Sequence, residues 1–186
     1  MIKGLFFDLD GTLVDTHRAN FEAYRRALED FGVLLTFDEF KKSIGHQAKT
    51  FLPWFAPTLS SKEHDEIAEK KKRYYKDCVN LSVLNRQLIN FLEYLKPHHT
   101  IVLVTTAKRE NAETILSHHK LLDIFDLMIT SEDVTNAKPS PESYELALKR
   151  TKLKPNEVIA FEDSPSGIAA ASDAGIAVLE ISDFKP

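Results

Sequence analysis

Five short runs of consecutive apolar residues punctuate the chain, at positions 2–7, 100–104, 127–129, 158–161 and 177–181. Because they are apolar at successive rather than alternating positions, they are predicted as strands buried on both faces of a parallel sheet. Stretches with helical periodicity separate the last four: 109–119, 141–150 and 166–174, the last stopped by Gly175. Ser140 followed by Pro141 reads as an N-cap with proline at the first helical position. Strand and helix in alternation predict an α/β fold, a Rossmann-like parallel sheet flanked by helices.

Positions 16–81 break the alternation, because only helical patterns occur there. Phe21, Tyr24, Leu28 and Phe31 recur at helix spacing until Gly32. Thr36 with Glu39, and Ser60 with Glu63, have the spacing of capping boxes that open two further helices. The expected organisation is therefore a core of residues 1–15 and 82–186, interrupted by an all-helical insertion at 16–81. No internal repeat or low-complexity tract is present.

Composition narrows the function. A chain of 186 residues has room for one full core and a small inserted module. With 24 Lys plus Arg against 28 Asp plus Glu, the net charge is −4, and no long basic run supplies the footprint of a nucleic-acid binder. No apolar stretch approaches the roughly 18 residues of a membrane span. Asp8 and Asp10 interrupt the first apolar run and no small-residue cleavage site follows, so a cytoplasmic protein is expected. The one cysteine, Cys78, permits neither an intramolecular disulfide nor a thiolate zinc cluster, and in a Lys-rich helical stretch with no Gly-rich or strand-turn context it is a weak candidate for a nucleophile.

The chemistry concentrates at strand ends. The first apolar run leads straight into Asp8-Leu9-Asp10-Gly11-Thr12-Leu13-Val14-Asp15. Period-2 alternation places the Asp8 and Asp10 carboxylates on one side, at the end of a parallel strand where α/β sheets bind ligands. Thr105 and Thr106 follow the second strand, Lys138-Pro139 follows the third, and Glu162-Asp163-Ser164 follows the fourth. Each alone is ordinary turn or capping chemistry. Four such groups at consecutive strand ends converge on one crevice, which turn chemistry does not predict.

These motifs resemble those of the haloacid dehalogenase superfamily, in particular its β-phosphoglucomutase-like phosphatase branch with a helical cap. Asp8 through Asp15 is similar to the first motif, Thr105 to the second, Lys138-Pro139 to the third, and Glu162-Asp163-Ser164-Pro165-Ser166-Gly167 to the fourth. The likeness covers nearly the whole chain and makes the 16–81 insertion the cap. It implies a Mg²⁺-dependent phosphotransferase that works on a small phosphorylated metabolite through an aspartyl-phosphate. Asp8 is then the nucleophile and Asp10 the acid and base. The metal ligands implied are Asp8, the Asp10 carbonyl, Asp163 and Glu162, the last directly or at one remove. Lys138, Thr105 and Thr106 are the phosphate-binding residues, and loss of Lys138 is expected to impair binding and turnover while leaving the fold intact.

On the cap side, Asn20 stands where the mutase relatives carry a histidine, and Ala48, in Gly45-His46-Gln47-Ala48, where they carry a phosphate-gripping arginine. Asn20, His46 and Lys49 are the cap candidates for meeting substrate. Without the arginine, hydrolysis of a phosphomonoester, such as a sugar phosphate, is expected over mutase turnover, although Lys49 is one residue from that position. The lysine runs, 41–42 and 70–72, read as solvated helix faces. A phosphoryl-storing receiver domain also uses Asp, Thr and Lys at strand ends, but it needs neither a cap nor a second carboxylate two residues after the first. Nothing in the sequence sets the oligomeric state.

Overall fold

The computed structural model describes residues 1–44 and 48–182. They form two compact units, one of residues 1–15 with 83–182 and one within 16–82.

The first unit is built on five parallel strands: β1 (Gly4–Phe7), β4 (Thr100–Val104), β5 (Leu127–Ile129), β6 (Val158–Glu162) and β7 (Ala177–Glu180). Their order is β5-β4-β1-β6-β7. The chain thus runs outward from β1 on one side, then crosses back to build the other, which makes the C-terminal end of β1 the point where strand order reverses. Gly4 through Phe7 pair in register with Thr100 through Leu103 on one side and Val158 through Phe161 on the other. Along β1 the side chains alternate between faces. Phe6 packs with Val102, Val104, Tyr144, Ala147 and Ala170, and Phe7 stacks on Phe161 with ring centroids 4.4 Å apart.

Helices α5 (Arg86–Leu95), α6 (Arg109–His118), α7 (Glu142–Thr151) and α8 (Pro165–Asp173) belong to this unit. Helix α5 buries Leu88, Ile89 and Leu92 and is absent from the sequence-level reading. A two-residue antiparallel pair, β2 (Val14–Asp15) with β3 (Val83–Leu84), closes the chain on either side of the insertion. Two expectations are corrected here. Pro141 rather than Ser140 caps α7, although the Glu142 amide still lies 3.4 Å from the Ser140 hydroxyl. Strand β7 is not buried on both faces: it lies at the sheet edge, and Ala177, Leu179 and Glu180 are exposed.

The second unit contains α1 (His17–Glu29), α2 (Phe37–Lys41), α3 (Ala48–Phe55) and α4 (Ser61–Cys78). Thr36 and Ser60 each close a full capping box, with Glu39 and Glu63. Its core joins Ala27, Leu28, Phe40, Phe51, Leu52 and Ile67, with Phe21, Tyr24, Phe31 and Phe55 against it. The lysine run on α4 is not uniformly solvated. Lys70 pairs with Asp30 and Lys72 with Glu69, but Lys71 is buried, 4.2 Å from the Tyr75 ring centroid and 5.2 Å from that of Tyr24. A helix of 18 residues carries every third or fourth residue to the same face, so one lysine of three consecutive ones turns inward.

Candidate active site

Three strand ends and the loop before α7 converge on the Lys138 ammonium. Nζ donates to Asp8 Oδ1 at 2.7 Å, Glu162 Oε1 at 2.5 Å and the Val104 carbonyl at 2.8 Å. Asp8 directly follows β1, Val104 ends β4 and Glu162 ends β6, so adjacent parallel strands deliver all three acceptors to one point. An ammonium has three N–H groups, and each has its acceptor. The Lys138 side chain is only 3% exposed, so this is a buried charge and not a surface lysine.

Tyr144 on α7 completes the cluster. Its hydroxyl donates to the same Glu162 Oε1 at 2.6 Å, and Lys138 Nζ lies 5.3 Å from its ring centroid. On the other side, Thr12 Oγ1 donates to Asp163 Oδ1 at 3.0 Å. Neither Thr12 nor Tyr144 was assigned a role from the sequence. Thr12 stands inside the first motif, beside Gly11, and that position could have pointed to it. Tyr144 is six residues beyond Lys138 and reads locally as one more core position of an amphipathic helix.

Two motif glycines make room for these carboxylates. A Cβ on Gly11 would stand 2.1 Å from Asp163 Oδ2, and its φ of +95° is in any case one that side chains disfavour. A Cβ on Gly167 would stand 2.0 Å from Glu162 Oε2. Ser164 and Pro165 open α8 as N-cap and first helical residue, and the Gly167 amide donates to the Ser164 hydroxyl. The turn after β6 is thus set by helix-start chemistry, and the glycine inside that turn leaves space for Glu162.

Burial pushes the Asp8 carboxyl well above the usual carboxylate range; Lys138 resists, and Glu162 and Asp10 reinforce. The Asp163 carboxyl is raised as well, again chiefly by burial, against the pull of the Thr12 hydroxyl. Burial alone would lower the Lys138 ammonium, but Asp8 and Glu162 more than offset it and its pKa is raised. Asp8, Glu162 and Asp163 offer carboxylate oxygens all within 4.8 Å of one another. Three carboxylates face the Lys138 ammonium, which leaves an excess of negative charge held by oxygen donors. Such a set fits a hard divalent cation.

Of the remaining sequence-predicted residues, Asp10 is half-buried and close enough for its charge to act on Asp8. Thr105 is buried just beyond β4, its hydroxyl accepting from the Ala107 amide at 3.0 Å, whereas Thr106 is exposed. Asn20 and Lys49 are in the helical unit. Asn20 Nδ2 donates to Thr16 Oγ1 at 3.1 Å, and Lys49 is exposed on α3. His46 lies outside the described residues. No helix among the described residues is long and apolar enough to cross a membrane.

The arrangement has relatives. The family model "Haloacid dehalogenase-like hydrolase" matches residues 5–181. A phosphorylated carbohydrates phosphatase of Thermotoga maritima is 33% identical over 180 residues, which span 94% of this chain and 82% of that protein. The validoxylamine A 7'-phosphate phosphatase of Streptomyces hygroscopicus subsp. limoneus is 31% identical, over 95% of this chain and 84% of its own. Among solved structures, a provisionally named β-phosphoglucomutase from Thermotoga maritima superimposes with a TM-score of 0.81 at 32% identity, covering 100% of this chain and 88% of that one.

Proposed function

Since the chain belongs to the haloacid dehalogenase-like hydrolase family, we propose that it is a Mg²⁺-dependent phosphomonoester hydrolase acting on a small phosphorylated sugar through an aspartyl-phosphate. The observation that carries this reading is the convergence of Asp8, Glu162 and the Val104 carbonyl on buried Lys138, with Asp163 beside them. The Lys138 ammonium is the cation a phosphoryl oxygen can meet, and the surplus of carboxylate oxygens beside it is what a divalent cation would offset. The names of the two relatives given above, a phosphorylated carbohydrates phosphatase and a validoxylamine A 7'-phosphate phosphatase, support this reading.

In the first step an Asp8 oxygen attacks phosphorus, the new O–P bond forms as the ester P–O bond breaks, and the departing oxygen takes a proton from Asp10. In the second, Asp10 takes a proton from a water that attacks phosphorus, and the bond to Asp8 breaks with release of inorganic phosphate. Lys138 meets phosphoryl oxygens, and Thr105 and Thr106 supply a hydroxyl and backbone amides near the end of β4. Mg²⁺ would be held by Asp8, Asp163, the Asp10 carbonyl and Glu162, and when bound it would offset the repulsion between a carboxylate nucleophile and a phosphate dianion. The helical unit, Thr16–Ser82, is assigned the role of a cap that selects the substrate, with Asn20, His46 and Lys49 as its candidates. A cytoplasmic setting goes with substrates that are phosphorylated metabolites.

The mutase reading has a solved relative of that name in its favour. β-Glucose 1-phosphate separates the two. Hydrolysis yields phosphate and glucose even with a bisphosphate primer, while accumulation of glucose 6-phosphate would favour the mutase. Phosphate release from a panel of sugar phosphates is expected with Mg²⁺ and should cease with EDTA. Full turnover in a rigorously metal-free sample would refute the metal assignment.

A further inference from the structure

The three acceptors on Lys138 raise a problem for any reaction in which it grips phosphate. All three N–H groups are engaged, so one acceptor must be released before a phosphoryl oxygen can be bound. Releasing the Val104 carbonyl would strand a buried backbone oxygen, and releasing Asp8 would move the cation off the atom at which phosphorus arrives. Glu162 differs from both, because its Oε1 also accepts from the Tyr144 hydroxyl at 2.6 Å. Its other oxygen lies 3.4 Å from the Ser164 hydroxyl. Glu162 is fully buried, so without a second donor the loss of Lys138 would leave an unsolvated carboxylate oxygen.

We propose that Tyr144 is a positioning residue whose hydroxyl holds Glu162 while Lys138 exchanges Glu162 for a phosphoryl oxygen. The proposal rests on the phosphatase reading and adds a residue that acts on substrate binding through Glu162 without touching the substrate. Tyr144 is rigidly placed for this. It is fully buried among Phe6, Val104, Ala147 and Ala170, so the ring cannot follow Lys138, and the hydroxyl stays on Glu162.

The test is Tyr144→Phe, which keeps the ring and removes only the hydroxyl, assayed beside wild type with Mg²⁺ and the best sugar phosphate of the panel. Thermal unfolding of each variant confirms that it is folded at the assay temperature. The expected result is a rise of about tenfold in KM and in the inhibition constant of inorganic phosphate together, from loss of one charge-assisted hydrogen bond, with kcat changed much less. A purely structural loss would lower the active fraction, hence kcat, and leave the phosphate inhibition constant where it was. That result would overturn the proposal, as would unchanged KM and inhibition constant. The pair is then measured in a Glu162→Gln background. If Tyr144 acts through Glu162, removal of its hydroxyl there should shift phosphate affinity far less than in wild type. An equal penalty in both backgrounds also overturns the role. Wild-type protein that releases no phosphate from any phosphomonoester would instead refute the functional reading beneath it.

Discussion

Replacing Gly167 by alanine sets two magnitudes against each other. Gly167 sits in the first turn of α8 with an ordinary helical backbone, so helix propensity alone predicts that Gly167→Ala stabilises the protein by up to about 1 kcal/mol. The new Cβ, however, would lie 2.0 Å from Glu162 Oε2, 2.1 Å from Cδ and 2.3 Å from Oε1. Reaching an ordinary contact of about 3.4 Å requires the whole carboxylate to retreat by more than about 1 Å. Glu162 Oε1 is held by Lys138 at 2.5 Å and Tyr144 at 2.6 Å, and a retreat of that size breaks at least one of these bonds. A hydrogen bond to a buried charge is worth about 1.5–3 kcal/mol, and the unpaired group costs more. The clash therefore outweighs the propensity gain, and a net loss of about 2–4 kcal/mol is expected, together with at least a hundredfold fall in kcat/KM as Lys138 is displaced. Denaturant unfolding and phosphate release measure the two effects. Gly32→Ala is the control: nothing lies within 4 Å of its Cβ, and its φ of +73° predicts only a modest backbone cost of about 1 kcal/mol with activity unchanged. A Gly167→Ala protein as stable and as active as wild type would refute the placement of Glu162 against α8.

Three further outcomes follow from the same geometry. Lys138→Ala leaves Asp8 and Glu162 buried without their cation. Contrary to the expectation of an intact fold, it should lower stability by about 3–5 kcal/mol in metal-free buffer, and Mg²⁺ should raise its Tm more than that of wild type; equal Tm values for the two proteins without metal would contradict this. In the helical unit, Glu22 accepts from Arg25 and Arg26, which hold its carboxyl down at about 2. Its contribution is fully present above the ordinary carboxylate value and is lost as pH falls from about 4.5 towards 2. Since both arginines are part-exposed, the difference between wild type and Glu22→Gln should be only about 1 kcal/mol at neutral pH and vanish by about pH 2, read from urea melts along a pH series. Thr12→Val should weaken Mg²⁺ activation, seen as a higher half-saturating concentration, because Asp163 loses its side-chain donor.

How much of this was legible in the sequence depended on whether each signal was local. The runs at 100–104 and 127–129 match β4 and β5 at both ends; in β4 burial on two faces writes itself as consecutive apolar residues, whereas β5, contrary to that expectation, is an edge strand with Leu127 and Met128 only half-buried. Both capping boxes were legible for the same reason: the partners are three residues apart. Strand β7 has the same apolar signature yet lies exposed at the sheet edge, and composition does not encode how many neighbours a strand acquires. Helix α5 was not legible although Leu88, Ile89 and Leu92 share a face, since its ten residues follow the helical insertion with only the two-residue strand β3 to separate them. In the site, Asp8, Lys138, Glu162 and Asp163 were identified by their places at strand ends, and the structure brings them together. Tyr144 was illegible because its meaning resides in one hydroxyl contact made 18 residues away, while its ring satisfies the helix pattern like any core aromatic. Lys71 was misread because a run of charges conceals which member the helix turns inward.

The central claim is that Asp8 carries the phosphoryl group and Asp10 moves the protons, and one variant separates the two roles. Asp10→Asn keeps the backbone carbonyl but loses the proton donor and base, a loss of about 10² to 10⁴ in rate. Acetyl phosphate needs no proton on its leaving group, so with Mg²⁺ it should still phosphorylate Asp8 in this variant, and the phosphoenzyme should then persist. Mass spectrometry of acid-quenched samples should show one added phosphoryl group on the peptide containing Asp8 in Asp10→Asn, little of it in wild type, and none in Asp8→Asn. Wild-type rates of substrate and phosphoenzyme hydrolysis in Asp10→Asn, or a phosphoryl group retained in Asp8→Asn, would contradict the account.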